Sequence, residues 1–425
     1  MSIKKNSFTL TFLFVIILSV FKSDVVTLMY FFTLFCIEIY CLLKKDYKTI
    51  ILQIFLLIPL LGITKIQVLP LSNIYFSIFG LYVLFFDKKI AHSKKILLCY
   101  FSFVFFDLFK YLFFFENITG IVNILTVPAF YLALYSSIVI FKYIAKEKKY
   151  DEYCNFFIYG TVLSILYGFI TRFLSGGLVF AVVNNSILTR NSGASGDPNY
   201  FGLYIGLSIA FLIFENAKNG LRLKNYFLIF VMMFFGLSSS SRMYYIICTL
   251  LIILMVMQLL KKLFSKDFTK TIFIIIIGIV VVILLKDYFI TNIEYLISRI
   301  LTEGDITNGR GGLIQEYFAY TTGDFLRTLI GIGIPQYHTR AGIAHYAHNF
   351  YVEIFVTQGI LGVVILIFGI IFFMLRVKKI RLYNILPFII FLIGGIGVNY
   401  IEIDSFYSLM FLVLLFIKRS DLNEK

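Results

Sequence analysis

Charge is what this chain has least of. Asp, Glu, Lys and Arg supply 14% of its 425 residues, hydrophobic residues supply 60%, and mean hydropathy is +0.92. A water-soluble domain of this length cannot carry so much apolar surface, so soluble folds are excluded. Cysteine is sparse too. Cys36, Cys41, Cys99, Cys154 and Cys248 lie in or beside apolar runs with no CxxC spacing, which argues against a disulfide framework. No P-loop is present, so no ATP-driven motor resides here. No Asp-x-Asp marks a metal-bound nucleotide sugar; Glu402-x-Asp404 is the nearest approach and a weak metal candidate. No Gly-x-Ser-x-Gly elbow marks a lipase.

What the chain has instead is a succession of apolar runs near the roughly 20 residues that span a bilayer. Their centres lie near residues 14, 34, 56, 76, 106, 131, 164, 207, 233, 251, 278, 362, 392 and 409. The first run has no small-residue cleavage site behind it and reads as a retained helix rather than a signal peptide. The expectation is an all-α polytopic membrane protein of about 12–14 transmembrane helices, with one large external loop carrying short amphipathic helices. Residues 1–285 form the N-terminal spans, 286–349 the loop, and 350–425 three further spans with a short tail.

The net charge of +15 could suggest nucleic acid, but its distribution decides otherwise. Connectors 44–48, 87–95, 142–151, 218–224, 261–270 and 376–381, with the two termini, hold 27 of the 38 Lys and Arg. By the positive-inside rule these segments and both chain ends are cytoplasmic, and no nucleic-acid partner is implied. Only four of the 27 are arginine: Arg222, Arg376, Arg381 and Arg419. Of the other eleven cations seven are arginine: Arg172, Arg190, Arg242, Arg299, Arg310, Arg327 and Arg340. The planar guanidinium fork binds phosphate oxygens two at a time, which an ammonium cannot do. Arginine enriched on the outer side points to an external site for a phosphorylated substrate.

Four stretches carry the chemistry. His338, His345 and His348 gather before the span that begins near residue 350. No metalloprotease glutamate or cysteine accompanies them, so zinc is disfavoured and no metal is expected. His348 sits at a helix mouth, followed by Asn349 and then Gly359 and Gly362, which would share one helix face and permit close packing. Either it is a polar interfacial residue or a neutral imidazole acting as base. In TRNSGASGDPNYFG, Asp197 caps a helix that Pro198 opens, and Arg190 is not required by that account. The glycines and the helix N-terminus also suit an anion. SSSSRMYY puts Arg242 at an outer turn, where it either snorkels or binds. In NGRGGLIQEYFAY, Arg310 starts an amphipathic helix expected to lie on the outer leaflet through Leu313, Ile314, Tyr317 and Phe318. Asp107 and Lys110, three apart inside a span, are expected to pair.

In this order, Arg190 ahead of Gly193 and Asp197-Pro198-Asn199, then Ser241-Arg242, Arg310, Gly331-x-Gly333 and His348-Asn349-x9-Gly-x-x-Gly, the chain resembles the O-antigen ligase and polymerase superfamily of bacterial surface-polysaccharide enzymes. The resemblance covers about residues 190 to 362. It implies a glycosyltransferase at the outer face of the plasma membrane, needing no metal and no cofactor. Its donor is a glycan on a polyprenyl diphosphate, and its acceptor is a glycan hydroxyl. It further implies Arg190, Arg242 and Arg310 on the diphosphate, His348 as catalytic base, and Asn349, Gly359 and Gly362 in support. A chain-length regulator and a flippase of the same pathway are the implied partners, besides membrane lipid. A chain rich in Ile, Phe, Lys and Asn resembles low-GC Gram-positive proteins, whose cells lack a lipopolysaccharide core, which favours polymerase over ligase. A transporter of lipid-linked oligosaccharide is the reading from another class. It predicts interior charges and broken helices.

Overall fold

The computed structural model describes residues 3–66, 69–87, 94–114, 121–147, 149–175, 190–265, 267–302, 310–334, 336–375, 382–400, 410 and 412–414. Among them the chain is helical apart from one two-residue pairing, Lys65–Ile66 with Leu69–Pro70. The helices are α1 (Ile3–Phe21), α2 (Asp24–Leu43), α3 (Tyr47–Leu57, continued by the 3-10 segment Ile58–Ile63) and α4 (Leu71–Phe86). Next come α5 (Lys94–Phe113), α6 (Ile121–Glu147), α7 (Tyr150–Leu174), α8 (Pro198–Asn219), α9 (Leu223–Leu237), α10 (Arg242–Leu263) and α11 (Phe268–Leu284). The last are α12 (Lys286–Thr302), α13 (Arg310–Thr322), α14 (Phe325–Ile330), α15 (Tyr337–Arg340), α16 (Phe350–Leu375) and α17 (Leu382–Gly394).

Thirteen of the fourteen expected centres fall inside described helices, and the one near 409 lies outside the described residues. Five helices, α2, α7, α8, α10 and α16, are long and apolar enough to cross a membrane, and six shorter ones are apolar. In α16 only 6% of the apolar window is buried by protein. Bare aliphatic surface of that extent needs an apolar solvent around it, which a bilayer supplies.

The helices pack into two units that do not follow sequence order. The first comprises residues 1–72, 150–304 and 381–394. Its centre is α8, wrapped by α7, α9, α10 and α17 and buried over 83% of its apolar window. Gly202 and Gly206 let α10 come close, since a Cβ on them would stand 2.8 Å from Tyr244 Cβ and 2.6 Å from Ile247 Cγ2. In the connectors of this unit Lys48 pairs with Glu152, Arg222 with Glu215, and Lys262 with Asp267 at 3.5 Å. Ile63 N donates to Ala194 O at 3.2 Å and Asn191 N to Ser238 O at 2.9 Å.

The second unit comprises residues 73–149, 305–380 and 395–425. Here the structure corrects two expectations. Gly359 does not share a helix face with Gly362: its φ of 64° and ψ of −167° break α16 in two. The break frees the carbonyls of Val356 and Thr357, which accept from Ile332 N at 3.0 Å and Gly333 N at 2.9 Å. Gly331, with φ of 70°, lies against the same stretch of backbone. Gly362 accommodates Gln358 and Ile354 of its own helix rather than a neighbour. The second correction concerns α13. Of its four apolar positions only Phe318 lies exposed, because Leu313, Ile314 and Tyr317 pack on Ile332, Tyr337, Ile343, Ala347, Val352 and Val356.

At Gly359 a Cβ would stand 2.5 Å from the Leu329 carbonyl and 2.6 Å from Gly331 N, which are backbone atoms that cannot rotate aside. Gly359→Ala is therefore expected to cost about 2–5 kcal/mol, left-handed strain and overpacking together. Melting of the protein in detergent measures it, with Gly369→Ala as comparator, since nothing lies within 4 Å of a Cβ there. Equal melting of the two variants would mean that the break is dispensable.

Candidate functional site

In the first unit, Arg190 and Arg242 are drawn together by residues that carry no motif of their own. Arg190 Nε donates to Ser239 O at 3.1 Å, and its Nη2 donates to Asn199 Oδ1 at 3.1 Å. Asn199 Oδ1 also accepts from Ser241 Oγ at 2.8 Å, and Ser241 immediately precedes Arg242. One amide oxygen thus bridges the loop of Arg190 to the turn of Arg242. Asn191 reinforces the bridge, its Nδ2 donating to Ser238 Oγ at 3.0 Å. Asp197 caps α8 as expected, accepting from Asn199 N at 2.6 Å and Tyr200 N at 3.4 Å.

The four serines 238–241 are buried, and Ser240 holds the left-handed region at φ of 46°. They end at the N-terminus of α10. Ser241 makes no side-chain cap there, and the first turn has no acidic residue. A helix N-terminus carries roughly +0.5 charge and N–H groups directed outward. Placing Arg242 in its first turn and bracing Arg190 beside it adds positive charge where the dipole is already positive. Such an arrangement suits an oxyanion such as phosphate.

In the second unit, Arg310 opens α13 and is half-buried. His348 is half-buried at φ of 47°, two residues before α16. A non-glycine residue in that region is uncommon and costs about 1–3 kcal/mol, so the surrounding contacts must hold it. They are visible on both sides. Ala347 N donates to Tyr337 Oη at 3.1 Å. Asn349 Oδ1 accepts from Tyr351 N at 3.0 Å and Val352 N at 3.2 Å, the capping pattern of a helix start. Asn349 thus ends the loop and starts α16.

The expected pairing of Asp107 with Lys110 is present at 2.8 Å, with both side chains fully buried. Lys110 Nζ also donates to Thr357 O at 3.1 Å and Gln358 Oε1 at 2.7 Å. Asp107 accepts from Gln358 Nε2 and from Ile334 N, each at 3.2 Å. Arg340 donates to Ile332 O at 2.6 Å and Gly333 O at 2.7 Å, with its guanidinium 4.9 Å from the Tyr111 ring. Burial pushes Arg340 down to about 10, opposed by Asp107, Tyr111 and Tyr320, so it remains a cation at neutral pH. The pair therefore serves the break in α16, clasping the Gly331–Gly333 backbone against it. Gln358 and Arg340 carry no signal of this role in the sequence, because their partners lie in other segments or in backbone.

Burial first, and neighbouring His345 second, hold His338 below the ordinary imidazole range. Its ring lies 3.8 Å from that of Tyr346, and its Nε2 is 3.1 Å from Thr339 Oγ1. A histidine with a depressed folded pKa favours the fold above its unfolded value, and that contribution is lost as acid charges it. Protection of the amides across residues 337–347, corrected for the intrinsic exchange rate, is accordingly expected to fall as pH drops below about 6.5. Unchanged protection down to pH 5 would contradict this.

Among the described residues no group of three His, Cys, Asp or Glu is placed to hold a metal ion. Glu402 and Asp404 lie outside the described residues. No protein-family model matches the chain, and no curated protein matches it.

Proposed function

We propose that the protein polymerises polyprenyl-diphosphate-linked oligosaccharide repeat units into a surface polysaccharide at the outer face of a bacterial plasma membrane. In this reading it spans the membrane about 12–14 times with both termini cytoplasmic. The observation that carries the proposal is the Arg190–Asn199–Ser241–Arg242 cluster at the uncapped start of α10. A diphosphate leaving group is already stable as an anion, so the reaction requires cations rather than a general acid. Arg190, Arg242 and Arg310 fill that role. The acceptor oxygen attacks the anomeric carbon, the bond from that carbon to the diphosphate breaks, and His348 takes the hydroxyl proton. No metal or cofactor enters the step.

The test is in vitro polymerisation with purified protein. Arg242→Lys keeps the charge but loses the fork, and a loss of transfer of about 10- to 1,000-fold is expected. Arg376→Lys, in a lysine-rich connector, should stay near wild type. Arg242 is a cleaner probe than Arg190, whose guanidinium also holds the loop to Ser239. Equal tolerance at both positions would remove the diphosphate reading.

Transfer of finished polymer to another acceptor uses the same residues, and accumulation of full-length polymer on its carrier in a deletion strain would select ligase instead. A transporter of lipid-linked oligosaccharide is favoured by one observation, the broken α16 beside a buried ion pair. Against it, Asp107 and Lys110 are already bonded to Gln358, Ile334 N and Thr357 O within the protein.

A further inference from the structure

Glu353 is the single charged residue of α16, set in the first turn of an otherwise apolar helix, and it is fully buried. A carboxylate in such a place is costly unless bonds offset it, and a charge inside a span is a functional suspect by default. The proposed transfer step gives it no task, but its surroundings do. Glu353 Oε2 accepts from Tyr400 N at 3.1 Å, and Phe350 N donates to Gly395 O at 2.8 Å. The rings of Phe350 and Tyr400 meet at 5.0 Å, and Val398, Asn399 and Tyr400 are buried. Residues 395–400, the turn that follows α17, are thus clamped to the first turn of α16. The bond to the carboxylate is the stronger rung, since a charge-assisted hydrogen bond is roughly twice as strong as a neutral one.

The clamp matters because the start of α16 is a short block rather than part of a long helix. His348 at φ of 47° precedes it and Gly359 at φ of 64° ends it, so Phe350–Gln358 lies between two left-handed residues. Contacts to other segments must therefore set its direction. At the far end Gly333 N donates to Thr357 O, and Lys110 Nζ donates to the same carbonyl. At the near end, beside His348, the clamp is Glu353. Its own backbone ties both ends together: Glu353 N donates to Asn349 O at 2.9 Å, and Thr357 Oγ1 donates to Glu353 O at 2.7 Å. We infer that Glu353 is a positioning residue for His348. By accepting Tyr400 N it holds the mouth of α16, and the turn bearing the imidazole, in one orientation. The inference rests on the reading of His348 as base, and Glu353 acts through the helix without touching substrate.

Two readouts on the full-length protein in nanodiscs test it. Spin labels at Ile396 and His345, both exposed, report the distance across the clamp by double electron–electron resonance once the native cysteines are replaced. A narrow distribution is expected for wild type and for Glu353→Gln, whose amide oxygen still reaches Tyr400 N. Glu353→Ala and Glu353→Asp should broaden it, the latter because one methylene fewer withdraws the acceptor while the charge stays. In polymerisation by unlabelled protein, the Ala and Asp variants should lose about 10- to 100-fold in kcat with KM for the donor unchanged, the effect of misplacing a reacting group by about 1 Å. Glu353→Gln should keep the wild-type kcat and its pH dependence. Narrow distances in every variant, or wild-type kcat in Glu353→Ala, would overturn the assignment. So would an active Asp variant beside an inactive Gln variant, which would make charge rather than the bond decisive. Broadening by Ala and Asp in a protein whose wild type transfers no glycan would uphold the clamp while removing the reading of His348 as base.

Discussion

Polymer formation is expected to stop when His348 becomes Asn, with transfer reduced about 100- to 10,000-fold, the span typical of a lost general base. Asparagine is the sharper substitution than alanine because its backbone tolerates the left-handed region that His348 occupies at φ of 47°. The loop held by Tyr337 and the cap supplied by Asn349 should therefore survive, and only the imidazole is removed. Binding of the carrier should persist, since the proposed mechanism assigns the diphosphate to the arginines. The measurement is polymer length on a gel from purified protein in the presence of chelator, together with donor binding by the same variant. His345→Asn should be mild: the His345 side chain is exposed, and its backbone oxygen, which accepts from Tyr317 Oη at 2.6 Å, is kept. Full-length polymer from His348→Asn would reject the catalytic assignment, leaving the histidine a loop residue.

The second large effect is on stability. Lys110→Ala is expected to cost about 3–5 kcal/mol, because it leaves the Asp107 carboxylate buried without its cation and Thr357 O without that donor. Asp107→Ala should be comparably severe, stranding Lys110 and Ile334 N. The double variant should cost less than the two added, since the pair is removed together and, among charged groups, only Arg340 loses the support of Asp107. Thermal melting in detergent of the three variants gives the coupling. Single variants within about 1 kcal/mol of wild type, as for an exposed pair, would show that the pair does not carry the break in α16.

The positions of the spans were legible in the sequence for a physical reason. In lipid every backbone group must bond within its own segment, so a long apolar run has little choice but to be a helix. Thirteen centres read from hydropathy accordingly fall in helices. Asp197 was legible as a cap because capping is decided within three residues. The break at Gly359 was not. A glycine inside an apolar run reads as a packing position, and only the backbone of residues 329–333 makes the left-handed turn there necessary. The same holds for α13, whose apolar face is compatible with lipid or protein until the core around Tyr317 and Tyr337 is present to receive it. Asn199 and Gln358 show the limit most plainly. An Asn following a capped proline and a Gln in an apolar helix carry no local signal. Asn199 acquires its role through Ser241, 42 residues away, and Gln358 through Asp107, 251 residues away. Local hydropathy thus determined which segments are helices. Which polar groups meet was decided by tertiary packing, because a hydrogen bond between distant segments depends on where the chain has brought them and leaves no trace in the spacing of either.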